Sequence, residues 1–169
     1  MADSVADRLR SLLASDVYTR KGRLRSDDQL VRQRVCRGLS ESTARIRELI
    51  SRWRADRVPP STREQPLPPA EVMQPIRRAE RLIRAIDDVA ALVRGLPVLD
   101  QDKVWDRVRL AVLEDLLQFD WNLVGESDVL ASDLARVTAL EDLDVPALEA
   151  RVRGIREIIA DRQRFIEIS

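Results

Sequence analysis

The side chains that most often do enzymatic chemistry are scarce in this chain. Its 169 residues include no histidine and one cysteine, Cys36. There is therefore no imidazole base, no Ser-His-Asp or Cys-His nucleophile pair and no His-containing zinc or iron site. A single cysteine also excludes an intrachain disulfide and a Cys-rich metal site. The five glycines stand singly, so no Gly-rich phosphate loop exists. What remains is carboxylate chemistry, with or without a divalent cation.

The carboxylates do not form a convincing set. Asp100-x-Asp102-x-x-x-Asp106 superficially resembles a metal loop. Val104 stands where a third ligand is needed, and the glycine and distal glutamate of such a loop are missing, so an N-capped helix start explains it better. Glu141-x-x-Asp144 has the spacing of a paired-carboxylate motif but falls in a turn before Pro146. Asp87-Asp88 has no third acid at the spacing a metal-binding triad needs. Asp115 sits among Leu113, Leu116 and Leu117, either as a buried acid paired with an arginine or as an exposed acid on a polar edge. Cys36, beside Val35, reads as a small packed residue rather than a redox centre. No catalytic residue, metal or cofactor is assigned, and no small-molecule substrate is expected. The chain reads as non-enzymatic.

Charge is the stronger signal. Lys and Arg total 29 and so do Asp and Glu. Only Lys21 and Lys103 are lysine, a bias that follows from a GC-rich genome as readily as from use of guanidinium geometry. The overall zero hides a split: residues 1–65 hold 15 basic and 9 acidic residues, whereas residues 86–150 hold 5 basic and 15 acidic ones. Three uses are open. The basic part can lie against the acidic part within one bundle. Either face can dock a charged partner or a second copy. The basic third can contact nucleic-acid phosphates. Asp28–Arg32, Glu41–Arg45, Glu48–Arg52, Glu80–Arg84 and Glu149–Arg153 are acid-before-base pairs four residues apart, each adding ~0.2–0.5 kcal/mol to a helix. The arginines outside such pairs are the candidates for phosphate contact: Arg20, Lys21, Arg23 and Arg25, then Arg47, Arg54 and Arg57. No helix-turn-helix, zinc-finger or RNA-recognition signature accompanies them. With only 4% aromatic residues, a base-stacking platform is disfavoured.

The elements that would carry these residues are all helical, because apolar residues recur with helical period and no strand alternation is seen. A short helix is expected over about 4–15, followed by a basic connector from Val17 to Arg25. A long helix follows from about Asp27 to Arg57, capped by Ser26 and Gln29. Its seam is Val35, Leu39, Ser42, Ile46, Leu49 and Trp53, at alternating spacings of four and three. Five of the eight prolines lie in residues 58–69, which cannot be helix throughout. A third helix runs from Ala70 or Pro75 to Arg94, with Val72, Ile76, Ala79, Ile83, Ile86, Ala90 and Val93 inward. A fourth starts at Asp100 or Asp102 and ends near Gly125. A fifth covers about Ser127 to Leu140, and Asp144 caps a sixth that carries Leu148, Val152, Ile155, Ile159 and Ile166, with Arg162 interrupting the stripe.

The fold class is thus all-α: an elongated antiparallel bundle of about six helices, three of them long, with coiled-coil-like seams. Its organisation is a basic N-terminal segment over 1–57, a Pro-rich connector over 58–69 and a C-terminal bundle over 70–169, read together as one composite domain. No apolar run spans a membrane and Met1 to Arg10 lacks an apolar signal core, so a cytoplasmic protein is expected. The function expected is that of an adaptor, scaffold or small assembly subunit, holding a protein partner or a second copy by helix packing and charge complementarity. The apolar end of the last helix, with Ile159, Phe165, Ile166 and Ile168, is the expected partner-binding element, joined by Trp121. The alternative is a nucleic-acid-associated subunit using the basic residues named above.

Overall fold

The structure, a computed structural model, describes residues 24–60, 62–63, 67–96 and 110–168. Among these it is all α, with no strand: α1 (Leu24–Arg57), α2 (Ala70–Gly95), α3 (Leu110–Arg136) and α4 (Val145–Ile168), with one 3₁₀ turn at Leu140–Asp142. The helix expected over 4–15, the connector as far as Arg23, and the helix start at Asp100 or Asp102 lie outside the described residues.

Among the described residues four helices stand where the spacing suggested six. The fourth and fifth expected helices are one, α3, running unbroken through Gly125. Glycine interrupts a helix cheaply only when a left-handed cap or a proline follows, and neither does here. Around Gly125 the inward residues Leu123, Val124, Ser127, Leu130 and Leu134 keep helical phase, all buried. Their burial outweighs the ~1 kcal/mol a mid-helix glycine costs. Trp121 therefore lies mid-helix rather than near a helix end. Helix α1 begins at Leu24, three residues before the expected start, and stops at Arg57 ahead of Pro59 and Pro60. At the start of α4, Asp144 Oδ1 accepts the Ala147 N–H at 3.1 Å, an N-cap bond.

The helices form two antiparallel hairpins laid side by side. In α1–α2, Arg54 meets Glu80 and Arg47 meets Asp87. In α3–α4, Arg162 meets Asp120 and Arg151 meets Glu126. In both pairs the numbering runs in opposite senses. Between hairpins the sense is the same: Arg34 meets Asp128, and Arg45 reaches the Val137 carbonyl. Helices α1 and α2 touch, α3 and α4 touch, α1 lies on α3, and α2 lies on α4. Successive helices are antiparallel, as their lengths and connections suggested, but two of the four packed pairs are parallel.

One apolar core joins all four helices. The α1 seam residues Val35, Leu39, Ile46 and Leu49 are at most 1% exposed, as is Ser42, which satisfies its hydroxyl on the Gly38 carbonyl at 2.8 Å. Gly38 marks the tightest approach among the described glycines. A Cβ there would stand 3.3 Å from the backbone oxygen of Ser127 on α3. At Gly125 a Cβ would meet nothing within 4 Å.

Among the described residues, an ion pair lies in the core. Arg162 Nε donates to Asp120 Oδ1 at 2.9 Å, with the side chains 3% and 7% exposed. This pair explains the arginine that interrupts the α4 stripe. The acid is Asp120 rather than Asp115, which is exposed. Breaking such a pair strands a buried charge, at a cost of ~3–5 kcal/mol.

Two outcomes follow, both read by urea denaturation. Gly125→Ala stabilises by ~0.5–1 kcal/mol, because the position is helical and open, whereas Gly38→Leu destabilises by ~2 kcal/mol or more through overpacking against α3. A destabilising Gly125→Ala would mean that α3 is broken there. Asp120→Ala costs at least ~3 kcal/mol, and a loss under ~1 kcal/mol would show that the pair is solvated.

Candidate functional site

Burial and pairing sort the arginines into two groups. Most of those described on α1 are engaged, five of them with another helix or its end, while Arg37 is exposed and has no hydrogen bond or ion pair among the described residues. Arg32 donates to the Leu96 carbonyl at the end of α2, and Arg45 to the Val137 carbonyl just past the end of α3. Each places a cation on a helix C-terminus, where the dipole and the orphan carbonyls favour it. Arg34 pairs with Asp128 at 3.0 Å. Arg45 and Arg52 share Glu48. The hydrogen bond from Arg45, helped by nearby Arg52, holds the Glu48 carboxyl below its ordinary pKa. Its contribution to stability is therefore present at neutral pH and lost as pH falls through the carboxylate range.

The residues singled out from sequence for phosphate contact fall within this picture. Arg20, Lys21 and Arg23 lie outside the described residues, and Arg25 falls in the first turn of α1. Arg47 bonds Asp87 and the Thr43 hydroxyl, both at 3.2 Å. Arg54 bonds Glu80 at 2.8 Å, which diverts that acid from its i,i+4 neighbour Arg84. Arg57 stacks 5.2 Å over the Trp53 ring. Trp53 itself donates from Nε1 to the Val72 carbonyl at 2.9 Å, in the first turn of α2.

The second group is on α2. Arg77, Arg78, Arg81 and Arg84 are exposed. Among the described residues none of the four has a hydrogen bond or ion pair. They crowd eight residues of one rigid helix, with ~10.5 Å from Arg77 to Arg84 along the axis. Arg81 has arginines at i−4, i−3 and i+3. Two connected grooves follow this ridge. One, of about 450 Å³ between α1 and α2, is lined by Arg47, Ile50, Ser51, Arg54, Glu80, Ile83 and Arg84. The other, of similar volume over the outer face of α2, is lined by Gln74, Arg77, Arg78, Glu80, Arg81 and Arg84. Glu80 and Arg84 border both. Together the grooves carry six arginines against one carboxylate, with Asp87 just beyond. On the far flank Glu141 and Glu149 line a third groove with Arg78 and Arg81, without closing an ion pair.

Sequence reasoning passed over this ridge. Its signal, Arg77-Arg78-x-x-Arg81-x-x-Arg84, was legible as four arginines with one interposed acid. It lies in a stretch whose net charge is small, so a tally by long segments dilutes it.

The apolar candidates are placed differently. Ile159 is 2% exposed in the core. Phe165 packs on Phe119, ring centroids 5.7 Å apart, and it and Ile166 are half-buried. Trp121 is also half-buried, and the Ile168 side chain lies outside the described residues. Exposed large apolar residues are scattered: Leu30, Leu67, Leu92 and Val129.

No carboxylate constellation among the described residues replaces these as a chemical site. Among the described residues no group of three or more His, Cys, Asp or Glu is placed to hold a metal ion. Asp87 is held by Arg47, and Asp144 caps α4. Burial raises the Cys36 thiol above its ordinary pKa, with Arg94 and Arg32 pulling the other way, so the thiolate is disfavoured. No described helix is long and apolar enough to cross a membrane. Compared with protein-family models, curated proteins and solved structures, the chain matches none.

The ridge carries a folding cost. Like charges three or four residues apart each destabilise a helix by ~0.2–0.5 kcal/mol. Arg81→Gln is therefore expected to stabilise by about 0.5 kcal/mol at low salt, with the gain shrinking as salt screens it. Thermal melts at two ionic strengths check this, and a loss of stability would show that Arg81 has a structural partner.

Proposed function

We propose that this chain is a non-enzymatic helical interaction module, an adaptor or assembly subunit of a cytoplasmic complex, which docks an anionic partner on the α2 arginine ridge. The observation that carries the reading is the contrast between the two arginine groups. Most of the α1 arginines fill structural posts, while four neighbours on α2 repel one another and are compensated by no bond. Stability alone does not favour that arrangement, and an anionic partner relieves it. Charge complementarity is thus the main recognition element.

Helix packing is the lesser element. The apolar end of α4 is partly spent within the chain, since Ile159 is in the core and Phe165 is seated on Phe119. The inward residues of α1 and α2, spaced alternately by four and three, support coiled-coil-like packing inside the α1–α2 hairpin. The absence of histidine and the suppressed Cys36 thiolate support a non-catalytic role.

Retention on a heparin column tests the reading, because heparin is a generic polyanion. The full chain is expected to be retained at low salt. The triple variant Arg77→Gln, Arg81→Gln, Arg84→Gln should elute at distinctly lower salt. The control Arg136→Gln, Arg164→Gln removes arginines already paired within their own helices and should elute close to the parent chain. Equal retention of parent and triple variant would sink the proposal.

A further inference from the structure

We infer that the ridge binds the phosphate backbone of nucleic acid, without reading sequence. This rests on the ridge being the docking surface and names the class of partner. Four features lead to it.

The first is spacing. Arg77, Arg81 and Arg84 form the unbonded row on α2, and Arg47 and Arg54, seven residues apart on α1 and already paired with Asp87 and Glu80, form a second, partly neutralised row across the groove. Each row spans ~10.5 Å. Packed helix axes lie ~8–10 Å apart, so the rows run side by side at about that separation. A duplex strand offers one phosphate per ~3.4 Å of axis, so each row faces about three.

The second is the cation. Guanidinium binds phosphate oxygens bidentately, and every cation here is arginine. The third is the lack of an apolar anchor. A protein partner of stable affinity ordinarily seats aromatic or aliphatic groups at the centre of its interface. Here Ile50 and Ile83 form the groove floor but are 5% and 8% exposed. The one large exposed apolar residue of α2, Leu92, lies two turns beyond Arg84. A partner held by charge alone suits this surface, and a phosphodiester chain is such a partner. The fourth is the absence of an aromatic side chain from both groove linings, which leaves no platform for base stacking and confines contact to the backbone.

Fluorescence anisotropy tests this, with the full chain titrated into a labelled duplex of about twenty base pairs. Binding is expected at low salt and should be the same for a scrambled duplex. It should weaken with salt at a log–log slope of about −3.6, since each of the four unbonded α2 arginines neutralises one phosphate at ~0.9 apiece, Arg47 and Arg54 being already paired with carboxylates. The Arg77→Gln, Arg81→Gln, Arg84→Gln variant should lose at least about tenfold in affinity and most of that slope, while Arg136→Gln, Arg164→Gln should bind as the parent does. Thermal melts of each variant establish that it is folded.

Three results overturn the inference: no duplex binding, equal binding by the ridge variant, or tighter binding to poly-Glu peptide or anionic vesicles than to duplex at matched salt. If heparin retention depends on the ridge while the duplex does not bind, the phosphate-backbone inference fails and the interaction reading stands. If heparin retention does not depend on the ridge, both fail.

Discussion

The arrangement of the bundle depends on how closely α1 and α3 approach at Gly38 and Ser127. A Cβ at Gly38 would stand 3.3 Å from a backbone oxygen of α3, so the two backbones meet there with only the small Ser127 side chain beside the contact. Both flanking hydroxyls bond inside their own helices, Ser42 to the Gly38 carbonyl and Ser127 to the Val124 carbonyl. No polar group is stranded by the contact. With that crossing set, Arg34 falls opposite Asp128 on one side and Arg45 falls at the end of α3 on the other. One close contact thereby sets the register between two hairpins that are each held internally by apolar stripes. The core is dense because interlocking side chains leave few alternatives once the backbones are this near.

The arginines show how one side-chain type serves opposite purposes. On α1 a guanidinium reaches across to a carbonyl or a carboxylate and ties two helices together. In the core, Arg162 is made tolerable by Asp120. On α2 the same group is repeated until neighbours repel, and no nearby acid, Glu141 and Glu149 included, closes an ion pair with it. Glu80, the acid best placed to do so, is taken by Arg54. A surface of this kind gives up a little stability and gains a field that attracts anions.

Much of the fold was legible in the residues. The α2 stripe through Ile76, Ala79, Ile83, Ile86, Ala90 and Val93 is buried as its spacing implied, and so is α4 from Leu148 to Ile159. Asp144 caps α4 as its position ahead of Pro146 suggested. The errors came where a local signal was weak against packing. Gly125 looked like a stop but has no cap behind it, and buried neighbours on both sides carry the helix through. Asp115 drew notice by its leucine neighbours and is exposed on the polar edge, as one of its two readings had it, while Leu116 and Leu117 are buried. Asp120, five residues on, faces the core. The candidate site was less legible, because the α1 arginines look available in sequence and only their partners show that most are committed.

Helical class, inward stripes, the α4 cap and the poverty of catalytic side chains were set by the sequence alone, since periodicity, turn chemistry and composition are local properties of a chain. Tertiary structure decided what depends on residues far apart: the parallel pairing of α1 with α3, the burial of Asp120 on Arg162, and the division of arginines into bonded and unbonded. An arginine becomes structural only when an acceptor from another helix comes within about 3 Å of it. That distance is fixed by where the helices cross, and nothing in the neighbouring sequence records it.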